Sequence, residues 1–203
     1  EVCRLRELPT VTFMNKLDRY GLDPLELLDD VTNTLGLKVV PMNWPIGMGK
    51  EFKGVVDLRT KDALLFEGER HGAVAATSQR IPWEDCVDII GESLHEQVSE
   101  EMELVEMAGD EFTDEEFLDG KLSPVFWGSA MNNFGVEPLL RFLTEKAAPP
   151  SPRKTTDGMT ISPEEERFTG FIFKIQANMN PKHRDRIAFM RVVSGAFERD
   201  MTV

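Results

Sequence analysis

Cysteine is scarce in this 203-residue chain, where Cys3 and Cys86 are the whole complement. One disulfide is the most they could form, so no cross-linked scaffold is available. Two scattered thiols fit a reducing cytosol, each packed as a small apolar group. The three histidines, His71, His95 and His183, show no ligand spacing with the cysteines, which argues against a metal centre of the Cys/His type. No stretch approaches the roughly 18 uninterrupted apolar residues of a membrane-spanning helix. Apolar runs such as Leu37 to Met42, broken by Lys38, have the length of strands. The opening Glu1-Val2-Cys3-Arg4-Leu5-Arg6 carries neither a secretory pattern nor an initiator Met, so the chain reads as a segment of a longer one.

What is there suffices for a folded core: 41% of residues are hydrophobic, with 8% aromatic. The formal net charge of −13 is unevenly spread. Between Glu84 and Asp119 stand fifteen Asp or Glu and no Lys or Arg. Residues 167–203 carry seven Lys or Arg against three Asp or Glu, a net of +4. An acidic body repels nucleic acid, whereas a basic segment can meet phosphates, so two units with different roles are expected.

Local signals predict an α/β order. Thr10 to Met14, after Pro9, reads as a buried strand, and a polar loop from Asn15 to Gly21 follows. Asp23-Pro24 starts a helix whose apolar positions Leu25, Leu28, Val31 and Leu35 recur every three or four residues until Gly36. Leu37 to Met42 is the next strand. This succession is the unit of a parallel sheet. From Asn43 to Trp83 glycines divide the chain into short pieces, with Phe52 to Leu58 and Ala63 to Phe66 suited to a hairpin. Helical spacing returns through Val87, Ile90, Leu94, Val98, Met102 and Val105, with acids on the opposite face. A solvated face explains those acids; a docking surface for a basic partner is the alternative. Thr113-Asp114-Glu115-Glu116 has the capping-box form. Ser123 to Trp127 is another strand, running into Gly128-Ser129-Ala130 and a helix through Val136, Leu139, Leu140 and Leu143. Residues 149–166 read as a Pro-, Thr- and Glu-rich linker, after which Phe168 to Gln176 and Ile187 to Val193 open a β domain.

Two strand-end loops carry the chemistry. Asn15-Lys16-Leu17-Asp18 follows a predicted strand at its carboxyl end, where open α/β sheets bind ligands. An ionised Asp18 is acceptor-only with two oxygens, which suits the ring N1–H and exocyclic amine of guanine, a donor pair adenine lacks. Asn15 can bond the other edge of the base and brace the loop. The Lys16 stem can cover the ring, and Leu17 anchors the loop. Gly128-Ser129-Ala130 lets the backbone approach closely, and the Ala130 amide can donate to the guanine carbonyl. Each loop alone is better explained by an ordinary turn; the two in this order are much more specific.

These residues resemble a known family. Phe13 to Arg19 is similar to the guanine-specificity motif of translational GTPases, and Gly128-Ser129-Ala130, followed by Phe134-Gly135-Val136, resembles their last guanine-contact loop. Trp44-Pro45-Ile46-Gly47 with Phe52 to Leu58 is similar to an insertion shared by elongation factor G and the release factor three family. Phe168 to Met179, with Pro181 to Arg186, resembles the release factor three family more than elongation factor G. The resemblance implies a cytoplasmic GTP- and GDP-binding protein that works on the ribosome during termination and helps class-one release factors leave. It implies nucleotide contacts at Asn15, Lys16, Leu17, Asp18, Ser129 and Ala130. Residues 1–148 would belong to the nucleotide domain, with an insertion at about 43–121, and 167–203 to a β-barrel domain. Lys182, Arg184 and Arg186 cluster in a loop that can touch ribosomal RNA or be simply solvated.

No G-x-x-x-x-G-K-[ST] phosphate loop occurs in the sequence, and Gly47-Met48-Gly49-Lys50 has the wrong spacing. Phosphoryl transfer draws nearly all its catalysis from that loop, the switch segments and Mg²⁺. The chain is therefore expected to hold base recognition with no catalytic residue of its own, Mg²⁺ belonging to an intact protein. It is also expected to self-associate through an unpaired sheet edge or the incomplete barrel.

Overall fold

A computed structural model describes residues 2–6, 8–67, 77–177, 179 and 185–202. The chain divides into two compact units, Glu1–Ala148 and Pro149–Val203.

In the first unit, helix α1 (Val2–Leu5) precedes strand β1 (Thr12–Met14). Helix α2 (Pro24–Leu35) begins where its local chemistry directs: the Asp23 carboxylate accepts from the Leu25 N–H at 2.8 Å, satisfying one of the unpaired amides of the first turn. Strands β2 (Lys38–Pro41) and β3 (Asn43–Ile46) are separated only by Met42. Then come β4 (Gly54–Asp57), β5 (Asp62–Glu67) and β6 (Thr77–Pro82). Helices α3 (Val87–Ile90) and α4 (Glu92–Ala108) are one acidic run interrupted at Gly91. A short α5 (Asp114–Leu118), capped by the Thr113 hydroxyl accepting from Glu116 N–H, leads to β7 (Leu122–Trp127) and α6 (Val136–Lys146).

Two sheets share this unit. The first is parallel, ordered β1-β7-β2, with β7 in the centre and every one of its residues buried. Among the described residues β1 pairs along one side only, and its residues stay half-buried. The hydroxyls of Thr12 and Ser123 bond across these strands at 2.9 Å. The second sheet is antiparallel, ordered β3-β4-β5-β6, and includes the expected hairpin with Val55 opposite Leu64. One stretch of chain joins the sheets: Met42 N–H still donates to Val125 O at 2.9 Å, and from Asn43 onward the backbone pairs with β4. A core of Trp44, Ile46, Val55, Val56, Trp127 and the inward face of α4 (Val98, Met102, Val105) fills the space between. Each such side chain contributes about 1.5–3 kcal/mol of burial.

The acids of α4 mostly face solvent, as amphipathic spacing requires, with one exception. Glu101 accepts from the Trp44 indole N–H at 2.8 Å and from Gln97 at 2.8 Å, so it satisfies a buried polar group that would otherwise be costly.

In the second unit, the segment expected to be an aperiodic linker contains a small hairpin, β8 (Arg153–Lys154) with β9 (Thr160–Ile161), closed over Asp157-Gly158. Strands of two residues show no periodicity. The Asp-Gly pair was the available signal. Beyond it, β10 (Thr169–Ala177) and β11 (Arg186–Ser194) form an antiparallel pair, as the alternation predicts.

Candidate functional site

Because β1 and β7 are parallel neighbours with Met14 opposite Trp127, the loops that follow them leave the same end of the sheet. The register holds beyond the strands: Gly128 N–H donates to Met14 O at 3.0 Å, and Leu17 N–H donates to Gly128 O at 3.2 Å. Gly128 is required by this closeness. A Cβ there would lie 2.2 Å from Phe134 O and 2.9 Å from the Phe13 ring.

The structure brings Asn15, Asp18, Ser129 and Ala130 together. The fully buried Ser129 donates its hydroxyl proton to Asp18 Oδ1 at 2.6 Å. Asn15 Oδ1 accepts from Ala130 N–H at 2.9 Å and from Lys16 N–H at 2.8 Å. The Ala130 amide is thus already engaged, so a base carbonyl oxygen would have to share or displace the Asn15 bond. Asp18 Oδ2 and Asn15 Nδ2 make no hydrogen bond among the described residues. One acceptor and one donor therefore remain for a ligand edge. Lys16 is exposed, and its backbone adopts φ 72°, which turns the loop sharply enough for Arg19 N–H to reach Lys16 O at 2.9 Å. Leu17 points inward, 3% exposed, within the core shared with Trp44 and Trp127.

Sequence reasoning missed the supports beneath these loops. The backbone of Leu17 is clamped from the inserted segment, where Gly49 N–H donates to Leu17 O at 2.8 Å. Gly49, with φ 65°, lies so close to the Tyr20 ring that a Cβ would come within 2.7 Å of it. Phe134 stacks on Phe66 of β5 with ring centroids 4.4 Å apart. Asn43, at the junction of the sheets, accepts from Trp127 N–H at 2.8 Å, and the Trp44 and Trp127 rings meet edge to face at 5.6 Å. Asn132 donates to Ser129 Oγ at 3.1 Å. Gly47 and Gly49 were the sequence signal of a tight turn here, but spacing alone does not show which loop they brace.

Arg186 opens β11 and is exposed. Lys182 and Arg184 lie outside the described residues. Among the described residues no group of His, Cys, Asp or Glu could hold a metal ion, and no helix is long and apolar enough to cross a membrane.

Chemically, this is a rim of one carboxylate, one amide and a backbone turn, fixed by buried contacts and open on one side. It can pair with a planar base that offers two adjacent N–H donors. Residues 1–149 match the elongation factor Tu GTP binding domain, and residues 167–203 match elongation factor G domain 2. Over 100% of its length the chain is 49% identical to peptide chain release factor 3 of Symbiobacterium thermophilum and 50% identical to that of Macrococcus caseolyticus. It spans 39% of each of those relatives. A crystal structure of a protein from Thermus thermophilus shares the fold, with a TM-score of 0.59 over 96% of this chain and 28% of that one, at 22% identity.

Proposed function

This chain belongs to the family of elongation factor Tu GTP binding domains, and from that membership we propose that it is the base-reading part of a ribosome-dependent GTPase. Its role is to promote the departure of class-one release factors once a finished peptide has been freed. The carrying observation is the Ser129–Asp18 contact, which joins two strand-end loops into one carboxylate-bearing rim. Asp18 pairs with the two adjacent donors of guanine, Asn15 meets the opposite edge of the base, and Lys16 covers the ring face. GTP and GDP are the ligands. Mg²⁺, which would neutralise phosphate charge during transfer, belongs with the phosphate-binding segments of an intact protein.

We assign residues 1–148 to the nucleotide domain with its insertion at about 43–121, and 167–203 to the β-barrel domain. The basic residues Lys182, Arg184 and Arg186, close in sequence, fit contact with ribosomal RNA phosphates. A cytoplasmic location goes with that work. Without a phosphate loop the 203 residues by themselves turn over no GTP above background. Phe173 and Ile175 of β10, 62% and 65% exposed, give the isolated chain a surface for self-association; a clean monomer in light scattering at high concentration would refute that.

An elongation factor G-like reading is favoured by the match of 167–203 to elongation factor G domain 2, but the relatives at 49–50% identity favour termination. The bond from the Trp44 indole to half-buried Glu101 gives one acid of that run a structural role, which weakens the alternative of a purely acidic docking module.

The deciding experiment is Asp18→Asn in the complete encoded protein. Asn presents a donor where guanine presents its amine and xanthine a carbonyl. Affinity for GDP should fall about a hundredfold, in line with one lost charge-assisted hydrogen bond, while XDP binding improves. Unchanged GDP affinity would sink the proposal.

A further inference from the structure

The carboxyl group of aspartate turns about a broad, soft torsion, so a carboxylate that must meet two coplanar donors needs something to hold its plane. In this structure the holder is Ser129, and Ser129 is itself held. A hydroxyl has one proton and two lone pairs. Ser129 Oγ lies 2.6 Å from Asp18 Oδ1 and 3.1 Å from Asn132 Nδ2. An ionised carboxylate cannot donate, so the single Ser129 proton goes to Asp18. Asn132 must then present its amine rather than its oxygen, because two acceptors facing each other would share no proton. The direction of donation is Asn132 to Ser129 to Asp18, and each link polarises the next.

The backbone leaves Asn132 little freedom to do otherwise. Its N–H donates to Ser129 O at 3.1 Å, and Phe134 N–H donates to the same oxygen at 2.9 Å. Ser129 N–H returns a bond to Phe134 O at 2.9 Å. The single turn Ala130–Asn132 thus places the side chain of Asn132, half-buried, against the fully buried hydroxyl.

We propose that Asn132 is a positioning residue for purine selection: by donating to Ser129 Oγ it fixes the hydroxyl whose proton Asp18 Oδ1 receives, and so holds the carboxylate plane for two adjacent base donors. This deepens the base-reading function above and rests on it. Hypoxanthine presents the ring N–H but no exocyclic amine, so it gains less from a fixed plane than guanine does. Loss of Asn132 should therefore weaken guanine more than hypoxanthine, which a general loosening of the loop would not do.

The test is calorimetric titration of the complete encoded protein with GDP and IDP, for the wild type, Asn132→Ala and Asn132→Asp. Asn132→Asp keeps the shape but offers only acceptors, which compete for the Ser129 proton and set a second carboxylate near Asp18. The GDP-over-IDP preference should fall about fivefold in Asn132→Ala, the size of one ordinary hydrogen bond, and further in Asn132→Asp. Equal losses for both nucleotides, or an unchanged preference in Asn132→Asp, would overturn the proposal while leaving base reading intact. A wild type that does not prefer GDP to IDP would overturn base reading and this proposal with it.

Discussion

Replacing Asn43 with alanine tests how the two sheets of the first unit are joined. The residue is 2% exposed and stands where the chain leaves β2 for the antiparallel sheet. Its Oδ1 takes the Trp127 N–H at 2.8 Å, while Nδ2 reaches Trp127 O only at 3.5 Å and contributes little. β3 has turned to pair with β4 at this point, so no backbone carbonyl replaces the lost acceptor. Leaving a buried N–H unpaired costs about 1–3 kcal/mol. The space vacated by the amide adds up to about 1 kcal/mol. A total of about 1–4 kcal/mol is expected, a sizeable share of the ~5–15 kcal/mol that stabilises a domain. Urea unfolding followed by tryptophan fluorescence reports this unit alone, because Trp44, Trp83 and Trp127 all lie within it. A loss below about 0.5 kcal/mol would mean that the amide finds another acceptor, and the bridging role of Asn43 would be wrong.

Three further outcomes are expected. Gly49→Ala forces a methyl toward the Tyr20 ring at a backbone φ of 65°, costing about 1–3 kcal/mol and loosening the bond to Leu17 O; wild-type stability in the same urea assay would refute the clamp. A thiol reagent should modify exposed Cys3 quickly and Cys86 only on unfolding. Burial, aided by Asp85, pushes the Cys86 thiol up, so the folded state holds that proton more tightly than the unfolded one. Stability is then fully present below the ordinary thiol range and declines as pH rises through it, a decline that Cys86→Ala should remove. Thr113→Ala, which deletes the cap of α5, should cost about 1 kcal/mol, read as a lower urea midpoint; an unchanged midpoint would show the cap to be idle.

The extent of legibility differs by element. Helix α2 was readable at both ends because its cap and its stop are local chemistry: a carboxylate two residues from the amide it serves, and a glycine after the last apolar position. The alternation of β10 and β11 was readable for the same reason. The hairpin of β8 and β9 was not, since four residues of strand carry no period. The acidic run from Glu84 was readable as an amphipathic helix, yet nothing in its spacing distinguished Glu101, which serves the Trp44 indole, from neighbours that face water.

The two strand-end loops show the same division. Their residue types and their position after strands were determined by sequence alone, since a carboxylate, an amide and small residues advertise their own donors and acceptors. Their meeting was decided only by tertiary structure. Asp18 and Ser129 are 111 positions apart, and contact between them requires β1 and β7 to be parallel neighbours in the register that sets Met14 beside Trp127. Hydrogen bonds made across such a distance leave no periodic trace in the chain. The supports from Asn43 and Gly49 therefore became visible only when the sheets had packed.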